Sequence, residues 1–145
     1  MKPILSVLIL ACAFACAATV FAQKLERSET DPRTTQAYSL LIQREVKVQA
    51  KLESVVSEYG SNHFMAKPLQ FELDALKSEM KKMVELDETK INKLTLGYGN
   101  LILRRVDLAT DVHMLFEEEG SEWPPLKEKQ RELELLDKEI QKGLR

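Results

Sequence analysis

The sequence is poor in the residues that cross-link or interrupt a chain. Its 145 residues include two cysteines, five glycines, five prolines and one tryptophan. Both cysteines, Cys12 and Cys16, lie in an apolar stretch at the start. Without other cysteines, the rest of the chain has no disulfide framework, cysteine nucleophile or thiolate zinc site. The scarcity of glycine and proline predicts loops that are few or short.

The apolar stretch has the layout of a signal peptide. Lys2 precedes an apolar run over residues 4–18, and Val20-Phe21-Ala22 resembles the segment before a cleavage site. We therefore expect cleavage after Ala22, which would make residues 1–22 a signal peptide and residues 23–31 a flexible leader. The alternatives are an uncleaved anchor, for which the run is short of the roughly 20 residues required, and a lipoprotein acylated at Cys12 or Cys16. The expected location is the periplasm or the exterior, with no transmembrane segment in the mature chain.

The charge of the mature part bears on its partners. Removing residues 1–22 from 145 leaves 123 residues with 20 basic and 23 acidic side chains, a net charge of −3. That length suffices for one small domain. An acidic balance argues against nucleic acid as a partner, because nucleic acid selects a basic surface.

Apolar residues recur at intervals of three and four, which predicts an all-α fold. Asp31-Pro32 suits a helix start and Gly60 suits a helix end. A second helix is expected to start between Phe64 and Ala66, and Pro124 opens the last helix. The region between them is open to two interpretations: one long helix over residues 65–118, or a break near residues 87–99.

The sequence repeats itself with a period of 60. Residues 38–82 match residues 98–142 at 15 of 45 positions without gaps, whereas shared helical composition would give about three or four. The identities include Gly60-Ser61 and Gly120-Ser121, which stand at both expected turns. Heptad-biased composition is the alternative explanation, but heptads do not place turns.

Each copy is expected to form a helical hairpin, over residues 32–88 and 89–145. The two hairpins could form an antiparallel four-helix bundle or an extended coiled-coil array. Several equivalent positions carry opposite charges, and Glu45 and Arg105 lie on the apolar seam, where a charge is costly unless paired. We therefore expect Glu45 near Arg105, with the copies related by a pseudo-twofold axis; unrelated surface variation is the alternative.

The first turn resembles a known family. In residues 59–63 a tyrosine is followed by Gly-Ser-Asn and a histidine, and regular leucines follow at Leu69, Leu73 and Leu76. This arrangement is similar to the periplasmic coiled-coil region of chain-length determinants, the polysaccharide co-polymerases. The resemblance covers about 25 residues in each copy. It implies a coiled-coil hairpin in the cell envelope and points to envelope polysaccharide.

The chain also departs from that family pattern. Phe64 stands where the family has proline. In the second copy Pro124 is present, but Trp123 replaces the histidine and Glu119 replaces the tyrosine. The flanking transmembrane helices and the Pro-rich membrane-proximal region of the family are absent from this sequence.

The sequence offers little for catalysis or metal binding. Helical bundles usually hold metals through Glu-x-x-His motifs, and neither His63 nor His113 follows a glutamate by three residues. Phosphate loops and nucleophile elbows are also missing. We therefore expect no enzyme activity, no metal and no cofactor.

The expected function is an exported, non-catalytic structural or adaptor module of the cell envelope. His63, Phe64 and Trp123 at the two turns are the candidate contacts for a partner, which would be another envelope protein or a second copy. Two alternatives are a small four-helix-bundle carrier of haem or metal and a periplasmic holdase-type chaperone.

Overall fold

A computed structural model describes residues 31–145, and over this range the chain is all helical, with no strand. After a 3-10 turn at Pro32–Thr34 come α1 (Gln36–Tyr59), α2 (Ala66–Val84), the short α3 (Glu88–Ile91), α4 (Leu96–Glu119) and α5 (Pro124–Gly143). The expected all-α fold is therefore confirmed. The expected signal peptide and the leader up to residue 30 lie outside the described residues.

The first long helix begins later than the sequence suggested. Asp31 and Pro32 start only the 3-10 turn, in which the Asp31 side chain accepts a hydrogen bond from the Arg33 amide at 3.0 Å. Thr35 is the N-cap of α1, and its hydroxyl accepts from the Tyr38 amide at 3.3 Å. Threonine suits this position because its hydroxyl satisfies an amide that has no partner within the helix.

The boundaries of the helices repeat with the same period as the sequence. Both α1 and α4 are 24 residues long, and α4 starts 60 residues after α1. Thr95 caps α4 through the Tyr98 amide at 3.3 Å, as Thr35 caps α1. Gly60 and Gly120 end the two helices at φ values of 88° and 80°, which glycine adopts without steric cost.

One ion pair inside each hairpin is also repeated. Arg44 on α1 donates to Glu72 on α2 at 2.6 Å, and Arg104 on α4 donates to Glu132 on α5 at 2.6 Å. All four positions are identical between the copies. The repeat thus preserves the packing of each hairpin as well as its turn.

The chain breaks between the hairpins, which decides between the two interpretations of residues 65–118. α2 ends at Val84, Asp87 is extended, and the four-residue α3 precedes α4. The Leu94 carbonyl accepts a hydrogen bond from the Ala37 amide at 3.3 Å, which fixes the connection to the start of α1. The Thr95 cap then begins a new helix.

The hairpins stack side by side as an array. α4 packs against both α1 and α2, whereas α5 packs chiefly against α4 within the described range. Arg44 pairs with Asp107 and Ala37 lies beside Gly99, so α1 and α4 run parallel. A pseudo-twofold axis would have given α5 the same contact with α1 that α2 makes with α4. The copies are instead related by translation, which corrects the expected symmetry.

The core lies between α4 and the first hairpin, and between the two helices of each hairpin. Burying a side chain the size of leucine contributes about 1.5–3 kcal/mol. The largest side chains with almost no exposure are Leu41, Leu76, Ile102, Val106 and Leu126.

Candidate interaction surface at the hairpin tips

The two turns lie at the same end of the molecule because α1 and α4 are parallel. We call residues 59–65 and 116–123 the tips. Large apolar side chains are exposed in both tips: Tyr59, Phe64 and Met65 in the first, and Phe116 in the second. The tips therefore carry apolar surface that the fold itself leaves uncovered.

Three aromatic rings organise the first tip. The His63 ring stacks on Tyr59 with centroids 4.8 Å apart and contacts the Phe64 ring at 4.5 Å. The His63 Nδ1 accepts from the Met65 amide at 3.4 Å. His63 is thus half-buried and shapes the turn, while Phe64 is 71% exposed. Of the two residues expected to contact a partner here, Phe64 presents the larger free surface.

The Tyr59 phenol is less acidic than an ordinary tyrosine. A hydrogen bond with the Glu58 carboxylate raises the pKa of its phenol.

The second tip has the same backbone turn but different side chains. Trp123 is the N-cap of α5, and its carbonyl accepts from the Leu126 and Lys127 amides at 3.1 and 3.3 Å. Its side chain is half-buried, whereas Phe116 on α4 is exposed. Phe116, which the sequence did not single out, is therefore the more exposed of the two aromatic residues.

An open cleft of about 530 Å³ adjoins the first tip and is lined by residues of α1, α2 and α4. In its wall the Phe71 and His113 rings stack in parallel planes with centroids 4.2 Å apart. Glu117 lies 3.7 Å from His113 Nε2 and 3.5 Å from the Lys67 amine. The cleft is amphipathic, and its His113 is held between an aromatic ring and a carboxylate.

At the opposite end, a chain of ion pairs links the hairpins. The buried Glu79 accepts from Lys82 at 2.6 Å and from Arg105 at 2.8 Å, and Arg105 also donates to Asp137. The expected Glu45–Arg105 pair is not formed among the described residues. Glu79 reaches Arg105 because α2 runs antiparallel along α4, whereas Glu45 lies on the far side of α1.

The environment of this network shifts two pKa values. Burial alone would lower the pKa of Arg105, but its hydrogen bond with Asp137 and the charges of Glu79 and Asp137 raise it. Burial raises the pKa of the Tyr98 phenol, and the charge of Glu79 raises it further. The network therefore holds a permanent cation at the junction and a neutral tyrosine beside it.

The described part of the chain contains neither a cluster of metal-ligating side chains nor a membrane-spanning helix. Over residues 31–145, no group of three or more His, Cys, Asp or Glu side chains is placed to hold a metal ion. From Asp31 onward, none of the helices combines the length and the apolar character needed to cross a bilayer.

Comparison with known proteins found no relative of this chain. No protein-family model matches the chain, and neither the curated proteins nor the solved structures yield a match.

Proposed function

We propose that this protein is an exported, non-catalytic helical adaptor of the cell envelope that binds another protein through its hairpin tips. The observation that carries the proposal is the cluster of exposed Tyr59, Phe64, Met65 and Phe116 at one end of the array. Contiguous exposed apolar surface marks interaction sites, and aromatic residues and methionine are enriched in protein interfaces.

The form of the tips supports a binding role. The stack of Tyr59, His63 and Phe64 fixes the rings before a partner arrives, which lowers the entropic cost of association. The signal-peptide pattern of residues 1–22 and the resemblance to chain-length determinants support the location in the envelope.

Photo-crosslinking tests this proposal. A photoreactive amino acid replaces Phe64 in one variant and Leu135 in another; Leu135 is a large apolar residue on α5 that is also exposed. We expect one discrete crosslinked protein in the envelope fraction with the probe at position 64 and none at position 135. Equal capture at both positions, or none at position 64, would contradict the proposal.

The same exposed rings favour holdase-type chaperone activity as a second candidate. The double variant Phe64→Ser/Met65→Ser would separate the two functions in an aggregation assay with a chemically unfolded client. An adaptor leaves client aggregation unchanged, with or without the substitutions. A holdase suppresses aggregation and loses at least half of that effect in the double variant, while Leu135→Ser retains it.

A further inference from the structure

The charges of the described chain are divided unevenly along the length of the helices. The half nearer the tips consists of the second halves of α1 and α4 and the first halves of α2 and α5. With histidine neutral, this half carries 11 acidic and 5 basic side chains, a net charge of −6, over residues 48–75 and 108–133. The other half carries 10 acidic and 13 basic side chains, a net charge of +3, over residues 31–47, 76–107 and 134–145. The exposed rings of the tips therefore lie in a region of negative potential.

The end of α4 concentrates this negative charge. Its last three residues are Glu117, Glu118 and Glu119, and all three are exposed. The helix macrodipole disfavours carboxylates at a C-terminus. Glu117 has the Lys67 amine at 3.5 Å, whereas Glu118 and Glu119 have no ion-pair partner among residues 31–145. Two carboxylates beside the exposed rings are thus free to meet a cation from outside the chain.

The hairpin turn does not require these carboxylates. At the equivalent positions of the first hairpin, Ser57 and Tyr59 stand in place of Glu117 and Glu119. The first hairpin nevertheless makes the same turn, with a glycine at positive φ directly after the helix. The acidic end of α4 therefore has an unfavourable position that the fold itself leaves unexplained.

The carboxylates and the exposed apolar side chains belong to one surface. Lys67 stands in the first turn of α2, and its contact with Glu117 holds the end of α4 beside the first tip. Met65 lies two residues before Lys67 and is 37% exposed, and Phe116 lies directly before the carboxylates and is 52% exposed. The aliphatic stems of lysine and arginine cover apolar surface while their charged groups reach outward, and these cations are also attracted to aromatic ring faces.

We propose that the tips bind a basic amphipathic segment of the partner protein. Its apolar side chains cover Phe64 and Phe116, and its lysine or arginine side chains pair with Glu118 and Glu119. The inference rests on the proposed adaptor function and adds the chemistry of the partner. Charge complementarity of this kind accelerates association with the correct partner and disfavours partners of like charge, so an acidic segment is rejected.

Trp123 reports binding at this surface, because it is the single tryptophan of the chain and lies half-buried in the second tip. The probes are two tryptophan-free helical peptides of equal length with the same leucines, one with lysine and the other with glutamate at the polar positions. Titrations of the protein are followed by tryptophan fluorescence. We expect the lysine peptide to bind at least about tenfold more tightly, the equivalent of about 1.4 kcal/mol. Its binding should weaken as salt rises from about 0.05 to 0.5 M, because salt screens exposed charges.

Two double variants separate the local charge from the net charge. Glu118→Gln/Glu119→Gln removes the two carboxylates at the tips, and Glu88→Gln/Glu134→Gln removes two exposed carboxylates from the other half of the molecule. Both variants change the net charge equally. We expect the first variant to bind the lysine peptide at least about threefold more weakly than the wild type, and the second to bind it as the wild type does. Circular dichroism confirms that both variants are folded.

The result that supports the proposal is a preference for the lysine peptide that falls only in the Glu118→Gln/Glu119→Gln variant. Equal affinity for the two peptides, binding of neither, insensitivity to salt, or equal losses in the two double variants would overturn it. Photo-crosslinking from position 64 separates this inference from the adaptor function. A crosslink that persists in high salt and in Glu118→Gln/Glu119→Gln would leave the adaptor standing and remove the basic partner, whereas no crosslink in the wild type would refute the adaptor itself.

Discussion

Replacing Gly99 with alanine tests how closely the two hairpins approach. A Cβ atom at position 99 would lie 2.9 Å from the Ala37 Cα, 3.2 Å from the Leu40 Cδ2 and 3.3 Å from the Ala37 Cβ. The first of these atoms belongs to the backbone of α1, so it cannot move by a simple rotamer change. α1 and α4 must therefore separate to accommodate the methyl group.

Two opposing terms set the size of the effect of Gly99→Ala. Overpacking a well-packed contact costs about 1–3 kcal/mol. Alanine in place of helical glycine contributes about 0.5–1 kcal/mol in the other direction. We expect a net loss of up to about 2.5 kcal/mol in the free energy of unfolding, equivalent to a decrease in Tm of up to roughly 10 °C for a domain of this size.

Gly97→Ala is the matched control, because Gly97 lies two residues earlier in the first turn of the same helix. The nearest atom to a Cβ there is the Thr95 Oγ1 at 3.7 Å, an ordinary contact. This variant should be up to about 1 kcal/mol more stable than the wild type. Urea unfolding followed by circular dichroism measures both. If Gly99→Ala were as stable as Gly97→Ala, the close approach of α1 and α4 would be wrong.

Three further predictions concern the ion-pair network and the helix caps. Glu79→Ala should lower the free energy of unfolding by about 1–3 kcal/mol because it removes a buried acceptor from Arg105. The exposed equivalent Glu139→Ala should change it by no more than about 0.5 kcal/mol. Urea titrations compare the two variants, and equal losses of stability would contradict the network. Because the pKa of Tyr98 is raised in the folded state, its stabilising effect is complete below the unfolded pKa of about 10 and is lost as pH rises through the folded value. Stability measured against pH should therefore fall less on the alkaline side in Tyr98→Phe than in the wild type, and parallel curves would refute this. Thr95→Ala should lower the free energy of unfolding by about 1 kcal/mol through loss of the N-cap, and an unchanged urea midpoint would count against the cap.

The sequence predicted the hairpins well because their determinants are local. Gly60 and Gly120 end helices through their own backbone conformation, and the leucine spacing marks the buried face of each helix. The sequence does not decide whether the chain breaks between the hairpins, because the break depends on the Thr95 cap and on the hydrogen bond between Ala37 and Leu94. That bond joins residues distant in sequence, and no periodic pattern reports it.

The sequence does not predict how the two hairpins pack against each other. Ile42 and Ile102 are the same residue at equivalent positions, yet only the second is buried, so residue type could not indicate which face is covered. The sequence shows the opposite charges of the two copies, and a twofold axis between them predicts Glu45 as the partner of Arg105. With translation between the copies, Arg105 faces Glu79 instead.

The sequence predicts only part of the candidate site, because only its local features can be read from neighbouring residues. The tip residues His63, Phe64 and Trp123 stand next to glycine turns, where the sequence indicates exposure. The stack of Phe71 on His113 was missed because Phe71 lies off the leucine spacing of α2 and pairs with a residue on α4.

The parallel orientation of α1 and α4 separates the ends of the folded chain from its tips. Asp31 and Leu144 both lie at the end near Tyr98, and a helix of 24 residues is about 36 Å long. A label at residue 31 or at residue 144 is thus held about that far from Phe64. Energy-transfer distances from residue 145 would therefore distinguish a molecule bound at the tips from one bound beside the chain ends.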